Sequence, residues 1–151
     1  MALVGELVNE TEVNANANKF FHFFKHEIFH TPNISSNLIQ QVKLHEGDWD
    51  VHGHGSIKIW NYTIDGKPEV FKERVEFDDK KLVMKLVGLE GNVFKHYKTF
   101  NIIYQIVPKK PQHSLVVMNL KYEKLDDGSP APYKYVEFLE NLIKDIESHL
   151  K

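Results

Sequence analysis

The stretch IKIWNYTIDGKPEVFKERVEF, residues 57–77, carries the strongest local signal in the chain. Two runs of alternating apolar and polar residues flank the dipeptide Asp65-Gly66. Both residues tolerate the positive φ that a type I′ turn requires, so the pattern predicts a two-residue β-hairpin. Such a turn also fixes which residues face each other across the two strands. The predicted pairs are Trp60 with Phe71, Tyr62 with Glu69, and Lys58 with Glu73.

The next hairpin surrounds a charged turn at residues 78–81. A four-residue turn there gives a second register. Its predicted pairs are Phe77 with Leu82, Val75 with Met84, and Glu73 with Leu86. Both hairpins then place the same apolar side chains on one inward face, and a one-residue slip in either would reverse the faces. Further members of this face on later strands are Phe100, Ile102, Tyr104, Ile106, Met118, Leu120 and Tyr122.

The flanking segments complete an α+β pattern. Alternation over residues 3–13 predicts a first strand with one solvated side. Helical spacing over Phe20–Ile28 follows, with Asn14 or Asn16 as its cap, and Thr31-Pro32 opens a second helix of about two turns. Strands continue from Leu38 to Lys124. The last segment predicts an amphipathic helix of about twenty residues whose apolar side covers the antiparallel sheet. The apolar positions of that helix are Tyr135, Phe138, Leu139, Leu142, Ile146 and Leu150.

Composition excludes several classes of function. The chain has 151 residues, which suits one domain over 1–151. Its net charge is −2, so it lacks the basic excess of a nucleic-acid binder, and we expect no nucleic-acid partner. It contains no cysteine, which rules out a catalytic thiol. No apolar run approaches the length of a membrane span and no signal peptide is recognisable, so we expect a cytoplasmic protein without a membrane span.

The histidine-rich loop HEGDWDVHGHG, residues 45–55, raises the questions of metal and phosphate binding. His45, His52 and His54 could chelate a metal, but exposed histidines beside a turn are usually solvated. Asp48 and Asp50 interrupt the glycines and would repel a phosphate. We therefore expect no metal and no cofactor, and a mobile loop at the rim of the sheet.

Seven segments along the whole chain form a characteristic set: LVGELVNETEV (3–13), HEGDW (45–49), GSIKIWNY (55–62), DGK (65–67), KERVEF (72–77), LEGNVFKHYKTF (89–100) and LKYEK (120–124). In this order they resemble the major latex protein family of the Bet v 1 and pathogenesis-related class 10 superfamily of plants. The resemblance implies a helix-grip fold, also described as START-like: a seven-stranded antiparallel sheet around a long C-terminal helix, with two short helices in a V. It also implies an internal hydrophobic cavity, whereas patterning alone is equally consistent with a fully packed core.

A cavity of this kind implies a carrier or sensor of small hydrophobic plant metabolites or hormones, in a defence, stress or developmental context. The alternative is a cofactor-independent isomerase or cyclase of specialised terpenoid or alkaloid metabolism acting in the same cavity. A ribonuclease activity, attached to some class 10 relatives, disagrees with the net charge of −2. A protein partner stays an open alternative, and we expect a monomer or a weak dimer. The ligand-contacting residues we expect are Phe24, Lys58, Trp60, Tyr62, Phe71, Glu73, Met84, Leu86, Phe100, Ile102, Tyr104, Met118, Leu120, Tyr135, Phe138, Leu139 and Leu142.

Lys58 and Glu73 are the sharpest candidates within this set. The hairpin register places them opposite each other. If their face is the cavity, an ion pair in apolar surroundings would anchor a ligand hydroxyl, carboxylate or amine. The alternative is that the sheet faces the other way here, which leaves an exposed pair that contributes less than about 1 kcal/mol. If the protein is an enzyme, the catalytic groups we expect are Glu73 as general base with Lys58, Tyr62 and Tyr104, and His96 or Lys98 at the cavity mouth. We further expect the loops at Asp50–Gly55 and Leu89–Asn92 to form a mobile gate.

Overall fold

The computed structural model of the protein describes residues 3–47 and 55–150. In this part of the chain, seven strands form one antiparallel sheet in the order β1-β7-β6-β5-β4-β3-β2. The strands are β1 Val4–Val13, β2 Ile39–Glu46, β3 Ile57–Ile64, β4 Lys67–Asp78, β5 Val83–Gly91, β6 Tyr97–Lys110 and β7 His113–Lys124. The helices are α1 Ala17–His22, α2 Thr31–Ile34 and the long α3 Tyr133–Leu150. The α+β helix-grip prediction is confirmed, including the two short helices joined in a V.

The helical segment after β1 is less regular than its spacing indicates. The Asn16 side chain caps α1 by accepting a hydrogen bond from the Lys19 backbone N–H at 3.1 Å, as predicted. The helix then continues as a π-helical turn over Phe23–Glu27 and a 3₁₀ turn over Ile28–His30. The second helix, α2, has four residues and not two full turns. This succession of short turns bends the chain and lets its aromatic side chains point towards the sheet.

The hairpin register predicted from Asp65-Gly66 is confirmed. Both turn residues have positive φ, 52° and 75°, as a type I′ turn requires. In the sheet, β3 pairs with β4 so that Trp60 faces Phe71 and Lys58 faces Glu73. The inward face of these two strands is therefore the one predicted from sequence.

The predicted register of the second hairpin is wrong by two residues. Phe77 pairs with Met84 instead of Leu82, and the other predicted pairs move by the same step. The turn comprises residues 79–82 and ends at Leu82, which takes a positive φ of 55°. The Asp78 carboxylate accepts a hydrogen bond from the Lys81 N–H at 3.1 Å, which holds the turn one position further along the chain. A shift of two residues preserves the faces, so the inward set survives the error.

The segment predicted as a loop at Leu89–Asn92 is ordered secondary structure. Residues 89–91 extend β5, and Asn92 begins a 3₁₀ turn that ends at Lys95. The Asn92 side-chain oxygen accepts a hydrogen bond from the Val70 N–H at 2.8 Å, which ties this turn to β4. β6 consequently starts at Tyr97. Of the other predicted gate segment, residues 50–54 lie outside the described part of the chain.

Candidate functional site

A cavity lies between the inward face of the sheet and α3, and side chains from both line it. Its empty volume is about 740 Å³, including the space that opens to solvent. Twenty side chains line it: Phe24, Ile28, Ile39, Lys58, Trp60, Tyr62, Phe71, Glu73, Val75, Phe77, Met84, Leu86, Val93, Phe100, Ile102, Tyr104, Tyr135, Phe138, Leu139 and Leu142. Lys58 and Glu73 are the charged residues in this lining. A concave apolar space with few polar groups is the usual form of a small-molecule site.

Local geometry explains why these side chains meet. Alternate residues of β3 and β4 point to the same side of the sheet, as Lys58, Trp60 and Tyr62 do on β3. On α3, the cavity side chains lie three, four and seven positions after Tyr135, which is the spacing of one helical face. The aromatic rings of Tyr62 and Phe138 lie 5.4 Å apart and connect the hairpin to the helix.

Fifteen of the seventeen residues predicted to contact a ligand line the cavity. The two exceptions are Met118 and Leu120 on β7, which are 0% exposed but lie outside the lining. Ile146, predicted as part of the helical wall, is likewise buried outside it. The reason is that α3 packs against β1, the neighbour of β7, so core side chains fill this end of the sheet. A role in ligand binding for the other fifteen stays a prediction.

Five lining residues were not among the predicted contacts: Ile28, Ile39, Val75, Phe77 and Val93. Val75 and Phe77 belong to the inward face that both hairpins indicated, and Ile28 follows the helical spacing of the first helix, so the sequence did carry a signal for them. Ile39 opens β2, and Val93 lies in the 3₁₀ turn after β5. The sequence pattern gives no direction for a side chain in an irregular turn, so Val93 could not be found in this way.

Lys58 and Glu73 are cross-strand neighbours within the cavity lining, and each is only 2% exposed. Burial raises the pKa of Glu73 to about 7, although the Lys58 charge and the Trp60 indole both act to lower it. Burial also lowers the pKa of Lys58, while Glu73 opposes that shift. The Lys58 ammonium also lies 5.8 Å from the centre of the Phe77 ring, in the range of a cation–π interaction. The carboxyl and the ammonium thus stabilise each other electrostatically in an apolar environment.

Two polar atoms of the lining lack a hydrogen-bond partner within residues 3–47 and 55–150: Trp60 Nε1 and Glu73 Oε2. Trp60 is near enough to lower the pKa of Glu73, yet the two groups do not reach hydrogen-bonding geometry with each other. The predicted ion pair is therefore an electrostatic contact that leaves one carboxylate oxygen unsatisfied. Buried polar atoms without a partner are rare because each costs about 1–3 kcal/mol, so they call for an explanation.

Two further tyrosines predicted as catalytic groups have different surroundings. Tyr104 is buried beside Glu73, and burial followed by the Glu73 charge raises its pKa. The Tyr62 hydroxyl donates to Glu69 Oε1 at 2.7 Å, and the Tyr135 hydroxyl donates to the same oxygen at 2.8 Å. Burial and these hydrogen bonds raise the pKa values of both tyrosines. Glu69 therefore links the β3–β4 hairpin to the first turn of α3.

The structure does not support two other sequence-based candidates. His96 and Lys98 are exposed and lie outside the cavity lining, because β6 begins at Tyr97 and turns them outwards. Lys98 instead forms an ion pair with Glu123 at 3.7 Å. His52 and His54 lie outside the described residues, and within the described ranges no group of His, Asp or Glu side chains could hold a metal ion. No helix in the described ranges is long and apolar enough to cross a membrane.

Comparison with known proteins places this architecture in a family. The MLP-like protein 329 of Arabidopsis thaliana is 40% identical over 150 residues, which covers 99% of this chain and 98% of that protein. The crystal structure of the major latex-like protein 151 of Panax ginseng has a TM-score of 0.91 at 31% identity and covers 99% of both chains.

A more distant likeness concerns the fold alone. The norcoclaurine synthase of Thalictrum flavum, in complex with dopamine and hydroxybenzaldehyde, has a TM-score of 0.76 at 16% identity. The comparison covers 98% of this chain and 88% of the synthase.

The model of the pathogenesis-related protein Bet v 1 family matches residues 2–151. The fold, the relatives and this match agree: the chain belongs to the pathogenesis-related protein Bet v 1 family, with MLP-like and major latex proteins among its relatives.

Proposed function

We propose that the protein binds a small hydrophobic ligand in the cavity between sheet and α3 and acts as a carrier or sensor. The observation that carries this proposal is a mostly apolar lining of twenty residues, nine of them aromatic, around empty space. Protein interiors normally contain few voids larger than a water molecule, so a pocket with this lining supports a binding site and not a fully packed core. Transfer of an apolar ligand into such a space is favourable by roughly 25 cal/mol per Å² of apolar surface removed from water.

The experiment is a titration of the purified protein with uncharged fluorescent apolar probes, together with native mass spectrometry of protein isolated from its source tissue. The proposal expects saturable binding of one probe molecule per chain and a co-purifying hydrophobic compound that the probe displaces. Absence of saturable binding across a broad panel of plant metabolites and probes would refute it.

The description of the family as pathogenesis-related supports a proposal for the biological setting. We propose a role in defence, stress or development, in the cytoplasm, with the protein as a monomer or weak dimer. Fractionation and sedimentation measurements on the native protein check the location and the oligomeric state.

Catalysis in the same cavity is the second candidate, and Glu73 is the observation that favours it. A carboxyl group with a pKa of about 7 that lines an apolar space is suited to act as a general base or acid. The reaction class we propose for this alternative is cofactor-independent isomerisation or cyclisation, with Lys58, Tyr62 and Tyr104 as the other candidate groups. Incubation with reactive terpenoid or alkaloid intermediates distinguishes the two functions, because an enzyme changes product ratios and a carrier only binds.

A further inference from the structure

The two unsatisfied polar atoms of the cavity lining give information about the ligand. Glu73 Oε2 accepts hydrogen bonds, and Trp60 Nε1 donates one. Both belong to residues that line the same cavity, and their positions are diagonal neighbours across the β3–β4 pair. At that separation, long and aromatic side chains come within reach of a common partner. We call this pair of atoms the Trp60–Glu73 polar site.

The chemistry of the site discriminates among ligand groups. An ammonium group has three donors and no acceptor, so it would leave Trp60 unsatisfied and bring a second cation close to Lys58. A carboxylate only accepts, so it would face the Glu73 oxygen without a proton between them. A hydroxyl group both donates and accepts, so it satisfies the two atoms at once and adds no charge to an apolar space.

We propose that the ligand is a neutral hydrophobic alcohol or phenol whose hydroxyl donates to Glu73 Oε2 and accepts from Trp60 Nε1. This inference rests on the proposed function, because it assigns the polar contact of the same cavity. The rest of the ligand occupies the space bounded by apolar side chains such as Leu86, Phe100 and Leu142. Two titratable groups face Glu73, namely Lys58 and Tyr104. When the ligand is bound, Lys58 still stabilises the Glu73 charge and Tyr104 is still uncharged.

The test uses naphthalenes that share one ring system and differ in one substituent. Fluorescence titration at pH 8, where Glu73 is largely ionised, gives dissociation constants for 2-naphthol, 2-methylnaphthalene, 2-naphthoate and 2-(aminomethyl)naphthalene, whose amine is an ammonium at that pH. We expect wild-type protein to bind 2-naphthol at least about tenfold more tightly than 2-methylnaphthalene, because the apolar analogue leaves both buried atoms unpaired. The measured quantity is this ratio of the two constants, so that a general change of cavity shape cancels.

Three variants test which residues cause the preference for the hydroxyl. Trp60→Phe removes the donor and keeps an aromatic ring, and Glu73→Met removes the acceptor at similar length. Each should lower the ratio, because it removes one of the two hydrogen bonds to the hydroxyl. Met118→Leu is the matched control, since Met118 is buried on the same sheet but outside the cavity, and it should keep the wild-type ratio. Melting curves recorded for every variant identify those that fold.

The outcomes separate this inference from the proposed function. Equal wild-type binding of all four probes, or tightest binding of the amine or the carboxylate, overturns the hydroxyl preference while leaving the cavity as a ligand site. A preference that is undiminished in both Trp60→Phe and Glu73→Met places the hydroxyl elsewhere and also overturns it. If none of the probes binds saturably, the proposed function fails as well. The ratio of dissociation constants in wild type tests the hydroxyl preference even if one variant does not fold.

Discussion

Replacement of Glu73 by Gln removes a buried titratable carboxyl group while keeping its size and shape. Glu73 is 2% exposed and lies in the cavity lining, opposite Lys58 on the neighbouring strand. Burial raises the pKa of Glu73 from its ordinary value of 4.5 to about 7 in the folded protein. Between these two values the folded chain binds more protons than the unfolded chain. The free energy of unfolding of wild-type protein should therefore fall as pH rises from 4.5 to about 7, and this contribution should be constant above that range.

The size of the effect follows from the shift. One pKa unit corresponds to roughly 1.4 kcal/mol, so the difference between 4.5 and about 7 amounts to about 3 kcal/mol. Wild type and Glu73→Gln should have similar stability at the acid end, where the carboxyl is neutral. Towards pH 8 the variant should become more stable than wild type by an amount approaching about 3 kcal/mol. Lys58 contributes in the opposite sense because burial lowers its pKa, and the Glu73 charge that opposes this shift is absent from the variant. The Lys58 contribution therefore also favours the variant as pH rises.

The assay is urea denaturation at several pH values between the two limits, for wild type, Glu73→Gln and the control Glu76→Gln. Glu76 lies on the same strand, is partly exposed, and faces Arg74 at 4.0 Å, so its replacement should change stability by less than about 1 kcal/mol at every pH. Parallel pH profiles of wild type and Glu73→Gln would refute the reasoning, because they would mean that Glu73 titrates alike in the folded and unfolded chains.

Three other substitutions test separate parts of the structure. Phe138→Ala should enlarge the cavity, change the affinity for apolar probes and cost up to about 3–5 kcal/mol; a large loss of stability with unchanged probe affinity would favour a packed core. Tyr62→Phe and Tyr135→Phe each remove one hydrogen bond to a shared carboxylate oxygen and should each cost about 0.5–1.5 kcal/mol by chemical denaturation, with a double variant that departs from the sum. Gly88→Ala should lower the melting temperature and the free energy of unfolding, the latter by about 1–3 kcal/mol, because the Cβ of the alanine would lie 2.4 Å from the Phe100 carbonyl oxygen. An unchanged melting curve would show that β5 and β6 can move apart enough to accommodate this Cβ.

The two hairpins show how far sequence can predict this fold. Asp65-Gly66 determines a register because few residue pairs accept positive φ at both positions, and the structure has that register. The charged turn after β4 carries no comparable constraint, and its last residue, Leu82, takes a positive φ that a branched side chain rarely adopts. Local preference therefore did not determine that turn, and pairing along β4 and β5 decided where it lies.

The sequence predicts which side chains point to the inward side of the sheet, but not which of them border empty space. Alternation places Met118 and Tyr104 on the same side of the sheet, and both are buried there. Only Tyr104 borders the cavity, because that depends on how closely α3 approaches each end of the curved sheet. Sheet curvature and helix position are tertiary properties that no local pattern records. For the same reason, the sequence cannot predict that Trp60 Nε1 and Glu73 Oε2 lack a hydrogen-bond partner.

The most direct measurement of the central claim is calorimetric titration of wild type and Leu142→Trp with an uncharged apolar probe. Leu142 is 4% exposed and lines the cavity from α3, so a larger ring there should occupy part of the space without altering the outer surface. Tyr133→Trp is the matched control, because Tyr133 is 69% exposed at the start of the same helix. The account predicts saturable binding of one probe per chain to wild type and Tyr133→Trp with the same affinity, and a changed affinity for a folded Leu142→Trp. Equal affinity in all three proteins would show that the probe binds outside the cavity and would contradict the account.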